Sequence, residues 1–204
     1  LVEKFGADSF RQTLLSSPAM CAENILFSDK AVEETYKKIV AKLENVLSFY
    51  ESTINHQPVS VDTKDPLCIW ILERLKDVIQ STTEAMNNYK LDQATRPFEK
   101  FIDDLSTWFL RRSREKLKDN DEETIFTLYF VLYKFSVLIA PFMPFLAERI
   151  YQNINKHNTE KKESVHLEKW SQKIFGFEEE KDNILLEMQN VRNLVTEALM
   201  IRQK

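Results

Sequence analysis

Two glycines in 204 residues constrain this chain more than any other feature. Hairpins and tight turns draw on glycine for backbone conformations with positive φ. A chain this poor in it is committed to long helices joined by short connectors. With 43% hydrophobic residues there is enough apolar material for one sizeable core, or one domain with a small appendage.

The apolar spacing reads as a bundle of helices. A short helix over residues 7–16 carries Phe10, Leu14 and Leu15 and ends at Ser17-Pro18, and Glu23–Phe27 is expected as a short strand. Ser28 or Asp29 then caps a long helix whose face is Val32, Tyr36, Ile39, Val40, Leu43, Val46, Leu47, Tyr50 and Ile54. Asp65-Pro66 opens the next helix, with proline at the first position, where a missing donor does no harm. A further helix is expected from Leu91 to Lys118, with Pro97 in its first turns or kinking it. Thr124 to Leu146 is almost continuously apolar, with Lys134 its only charge. Lys134, Thr127, Ser136, Pro141 and Pro144 make it a central bundle helix broken at the prolines, with no membrane partner. Ser164–Leu167 is expected to be extended. Glu178–Gln203 is expected as a closing helix with Ile184, Leu185, Met188, Val191, Leu194, Val195, Ala198 and Leu199 on its face. The ends, which show neither an initiator methionine nor a stop to the helical periodicity, suggest a piece of something longer.

Chemistry narrows next. Cys21 and Cys68 are too few for a zinc site or a disulfide framework and are expected as reduced core residues of a cytoplasmic protein. No glycine-rich phosphate loop, nucleophile elbow or His-Glu-x-x-His occurs, and His56, His157 and His166 are scattered, so neither catalytic nor metal-binding residues are assigned. A net charge of −4 excludes a generic basic coat for nucleic acid but leaves room for a local basic patch.

That patch is Arg111, Arg112, Arg114, Lys116 and Lys118. It follows a stripe of Phe98, Phe101, Ile102, Leu105, Trp108 and Phe109. At regular helical spacing Arg112 continues the buried face, while Arg111 and Arg114 leave it. Burying an unpaired guanidinium is costly, so Arg112 either meets an acid or marks a groove for an anion. Asp103 and Asp104 point about 100° apart and form no carboxylate dyad. Asp104 is expected to orient an arginine on a neighbouring helix or to pair with Arg112. Guanidinium groups grip phosphate bidentately, and Trp108 beside them is either core or a stacking surface for an unpaired base. Ordinary surface charge at a helix C-terminus is the competing reading of the cluster.

The stretch Asp103–Arg114, with Trp108-Phe109-Leu110-Arg111-Arg112-Ser113-Arg114 at its centre, resembles the anticodon-domain signature of isoleucyl-tRNA synthetases, class I enzymes of the Ile/Val/Leu/Met group. Phe5–Arg11 is similar to the helix after that family's lysine-rich catalytic signature. Ser16–Pro18 and Asn24–Ser28 resemble its connector, Leu138–Glu148 a segment shared across the group, and Glu163–Trp170 the element after the bundle. Valyl enzymes tend to carry a Trp-Tyr-Leu-Glu type of sequence at the signature, so the double arginine favours isoleucine. The resemblance implies an all-α fold: a helical anticodon-binding bundle over residues 29–155, a stem-contact and connector element over 1–28, and a loop, short element and helix over 156–204 that lead to a C-terminal part. It implies isoleucine tRNA as partner, bound through Arg111, Arg112, Arg114, Lys116, Lys118, Trp108 and, near the stem-contact element, Arg11. It also implies a parent enzyme that uses ATP with magnesium in catalytic and editing parts absent from this sequence, so no cofactor is expected within these residues. The corresponding domain of a valyl or methionyl enzyme, or a helical protein–protein scaffold, are the alternatives.

Overall fold

The computed structural model describes residues 1–170 and 182–202. Among them the regular structure is helical: α1 Val2–Leu15, α2 Asp29–Thr35, α3 Ala41–Thr53, α4 Pro66–Asn87, α5 Leu91–Asp103, α6 Arg111–Lys118, α7 Glu122–Ile139, α8 Pro144–Ile154 and α9 Asp182–Arg202. Wide π turns at Tyr36–Val40 and Asp104–Leu110 join α2 to α3 and α5 to α6, making two long helices of four segments. The caps follow the sequence. Ser28 accepts from Ala31 N at 3.3 Å to start α2. Asp65 accepts from Leu67 N at 2.7 Å ahead of Pro66, and Asp121 accepts from Thr124 N at 2.9 Å to start α7.

The core lies between α3, α4, α5, α7 and α8. Phe98 and Phe101 of α5 meet Phe135 of α7 with ring centroids 5.8 and 4.9 Å apart, and Phe98 meets Phe142 at 5.3 Å. Edge-on and tilted aromatic packing of this kind adds to the burial of large apolar rings. The apolar 124–146 stretch is covered by neighbours, as its composition suggested. Val131, Leu132, Phe135 and Ile139 are buried, and no helix among the described residues is long and apolar enough to cross a membrane.

The break between α7 and α8 is held from outside. Met143 gives α8 no side-chain cap. Asp8 of α1 supplies one: its Oδ2 accepts from Leu146 N at 2.6 Å. Three residues on, Arg11 donates from Nε to Phe142 O at 3.3 Å and from Nη2 to Pro141 O at 3.1 Å. A carboxylate at a helix N-terminus and a guanidinium on the carbonyls that end the preceding helix both complement the local dipoles. One turn of α1 thus fixes the corner set by Pro141 and Pro144.

Five expectations need correction. Glu23–Phe27 forms no strand, since no neighbouring strand exists among the described residues to pair with it. Val165–Leu167 is a single 3-10 turn, closed by Ser164 Oγ and by Glu148, which accepts from Val165 N at 2.9 Å. Helix α1 buries Phe5, Asp8, Ser9 and Gln12, whereas Phe10, Leu14 and Leu15 are only half-buried, because capping the α7–α8 corner turns its polar side inward. Cys21 is exposed, whereas Cys68 is buried. In α9, Ile184, Leu185 and Met188 pack on the core, while Val191, Leu194 and Leu199 face solvent. The expected start of that helix at Glu178 lies outside the described residues.

Candidate nucleic-acid interface

The π turn at Asp104–Leu110 decides which arginines reach solvent. A π turn spaces its hydrogen bonds five residues apart instead of four, so the helix beyond it is out of phase with the helix before it. Ahead of the turn the buried positions include Phe98, Phe101 and Ile102; within it they are Asp104, Leu105, Phe109 and Leu110, and beyond it Ser113 and Leu117. Regular spacing places Arg112 inward. The π turn gives that place to Ser113 and turns Arg112 out to solvent, correcting the expectation that Arg112 stays on the apolar face.

The buried charge is Asp104 instead, only 1% exposed. Its Oδ2 accepts from Arg74 Nε of α4 at 3.0 Å, and its Oδ1 accepts from Arg192 of α9. Of the two roles expected for Asp104, orienting an arginine on a neighbouring helix is the one found; pairing with Arg112 is not. Two guanidinium groups compensate one desolvated carboxylate, which a single partner does poorly. The guanidinium carbon of Arg192 also lies 5.7 Å from the Trp70 ring centroid and 5.1 Å from that of Trp108. Ion pair and rings together dock α9 onto α4 and the π turn. Asp103, one residue earlier, faces α3 and accepts from Lys42 Nζ at 2.6 Å.

Around this anchor the predicted contact residues separate. Arg111, Arg112 and Arg114 are exposed on α6, and none of them has a carboxylate partner among the described residues. Arg112 lies over Trp108, 3.1 Å from guanidinium carbon to ring centroid. Partial burial, then the like charges of Arg111 and Arg192, push its pKa below the usual arginine value. Arg114 lies 5.4 Å from the Phe49 ring. Trp108 is half-buried at the rim of the core, with its Nε1 sheltered and without a hydrogen-bond partner among the described residues. Lys118 makes only a surface pair with Glu115 at 3.2 Å.

The structure gives Lys116 and Arg11 contacts within the chain. Lys116 pairs with Asp65, the cap of α4, whose hydrogen bond raises the lysine pKa. Arg11 holds the α7–α8 corner, as described. Sequence reading missed Arg192 and Arg74. Arg192 carried a signal, since it sits between Met188 and Val195 on the apolar side of its helix, where a charge needs a partner.

Among the described residues, one rim of the helical bundle presents three arginines with no acid paired to them, and guanidinium groups are suited to gripping an anion. Comparison with known proteins gives this class a family. Residues 69–204 match the model of the anticodon-binding domain of tRNA ligase, and the chain belongs to that family. It is 35% identical over 214 aligned residues to an isoleucine–tRNA ligase of Chlamydia trachomatis, covering all of this chain and 20% of that protein. A Chlamydia pneumoniae isoleucine–tRNA ligase is 39% identical over 178 residues, covering 82% of this chain and 17% of the relative. The chain therefore spans about a fifth of the length of the curated relatives it matches. The fold is also like that in the LeuRS–tRNA–LeuAMS ternary complex from Agrobacterium radiobacter, with TM-score 0.55 and 16% identity over 90% of this chain and 21% of that one.

Proposed function

We propose that this chain is the anticodon-binding part of an isoleucine–tRNA ligase and holds isoleucine tRNA along the exposed edge of α6. The observation that carries it is the trio Arg111, Arg112 and Arg114, with no acid paired to them among the described residues, at one rim of a bundle of the anticodon-binding family. Arg111 and Arg114 contact backbone phosphates, Arg112 and Trp108 lie at the loop, and Lys118 adds charge at the margin. Such phosphate contacts set register and leave base choice to other groups. Lys116 and Arg11 are left as structural residues because their partners are within the chain.

In this reading residues 1–28 are the stem-contact element, 29–155 the bundle, and 156–204 the passage to a C-terminal part. The parent enzyme attaches isoleucine to its tRNA in the cytoplasm, with ATP and magnesium. The residues present do not fit that cofactor: there is no glycine-rich phosphate loop, and among the described residues no group of three His, Cys, Asp or Glu could hold an ion. We assign ATP use to the rest of the ligase, and no catalytic residue to these residues.

Titration of labelled isoleucine tRNA, with unlabelled valine and methionine tRNAs as competitors, tests the assignment. Isoleucine tRNA should bind at low salt and be displaced least by the competitors. Better displacement by valine or methionine tRNA would move the chain to another member of the group. No binding at low salt would leave a protein–protein scaffold.

A further inference from the structure

We propose that the outer face of Trp108 is a stacking site for one unpaired nucleobase, and that Arg112 occupies it in the free protein and yields it on binding. The proposal rests on the tRNA-binding reading above and deepens it.

The two guanidinium groups over the indole are not equivalent. Arg192 is fixed by its ion pair to Asp104, a carboxylate 1% exposed that Arg74 also holds. Arg112 is exposed and has no carboxylate partner among the described residues. Its hold on Trp108 is a cation–π contact at the surface, which is weak beside a bidentate guanidinium–phosphate pair. A phosphate arriving at Arg111 and Arg112 thus draws the mobile guanidinium off the ring and leaves the fixed one. What remains is a flat aromatic face flanked by Arg192.

The surroundings select the ligand class. Arg112 and Arg192 at the ring, with Arg111 beside Arg112, disfavour a cationic ligand such as a methylated amine. A nucleotide suits them, with its base on the ring and its phosphate on the arginines. The polar edge of the indole does not reach solvent, because Nε1 is sheltered. Contact is therefore through the ring face alone, and it is tolerant of which base stacks. The site positions a loop nucleotide; it does not read it.

The test uses the whole 204-residue chain and two RNA probes: a stem closed by an unpaired loop, and the same stem as uninterrupted duplex. The wild type should prefer the loop. Trp108→Leu should reduce that preference about tenfold, the usual effect of losing one base–aromatic stack. Its salt dependence should stay unchanged, since no phosphate contact is lost. Trp108→Phe, which keeps a ring, should restore the preference and guards against misfolding of the leucine variant. Arg112→Ala, an exposed change, should weaken both probes, lower the salt slope by about one, and keep or increase the loop preference. Undiminished preference in Trp108→Leu, or its loss in Arg112→Ala, would overturn the stacking site while the tRNA reading stands. A wild type that binds neither probe at low salt would overturn both.

Discussion

Replacing Asp104 by Asn removes the buried charge on which two helices converge. Arg74, which keeps Asp77 at 3.3 Å, and Arg192 would remain beside each other without Asp104's charge, at side-chain exposures of 18% and 24%. Removing one partner of a fully buried ion pair costs about 3–5 kcal/mol. The arginines here are partly wet, which screens some of their repulsion, so about 2–3 kcal/mol is expected. At about 2–4 °C per kcal/mol for a chain of this size, the melting temperature should fall by roughly 5–10 °C. Thermal unfolding followed by far-ultraviolet circular dichroism reads the loss, and protease cleavage within α9 should rise with it, since Arg192 is that helix's anchor. In the double variant Asp104→Asn with Arg192→Gln, the second change should cost less than it does alone, because the lone guanidinium has already lost its acid. An unchanged melting temperature in Asp104→Asn, or strictly additive losses, would refute the idea that Asp104 organises this junction.

Three further outcomes follow from other contacts. Asp65→Ala should destabilise by about 1–2 kcal/mol through loss of the α4 cap, whereas Lys116→Ala should cost under about 1 kcal/mol as an exposed pair; equal losses in urea unfolding would count against the capping role. Arg11→Met should cost about 1 kcal/mol from two backbone hydrogen bonds and leave the salt dependence of RNA binding unaltered; a flatter slope would return Arg11 to the RNA contacts. Burial alone would raise the Glu148 pKa, but hydrogen bonds from Gln152, Val165 N and Ser164 outweigh it and hold it below the ordinary 4.5. A depressed carboxylate contributes stability above its unfolded value and loses it as pH falls through the folded one. The melting temperature should therefore drop as pH falls below about 4.5, and Glu148→Gln should flatten that drop; a variant with the same acid profile would contradict it.

The helices were legible because their signals are local. Caps at Ser28 and Asp65, the proline pair at Pro141 and Pro144, and apolar faces at helical spacing each needed only a few neighbouring residues. The family signature was likewise contiguous in Asp103–Arg114. Phase across a π turn was not legible, because the sequence from Phe98 to Lys118 holds no glycine or proline and nothing local marks the wider turn. One displaced residue then moved Arg112 from the core to the surface. Roles set by distant partners were hidden for a different reason: Asp8 and Arg11 cap helix ends more than 120 positions away, and Asp104 is held from α4 and α9. The short segments at Glu23–Phe27 and Val165–Leu167 have strand-like composition, and only the absence of a pairing strand among the described residues decides against it.

The central claim is that the arginine edge of α6 meets tRNA phosphates. Its most direct test is the salt dependence of isoleucine tRNA binding by the wild type and by Arg111→Gln with Arg114→Gln. Each neutralised phosphate contributes a slope of about +0.7 to +0.9 in log Kd against log salt. The double variant should bind more weakly and lose about one and a half units of slope, with its melting temperature unchanged. Wild-type affinity and slope in that variant would place the tRNA elsewhere on the chain and contradict the account.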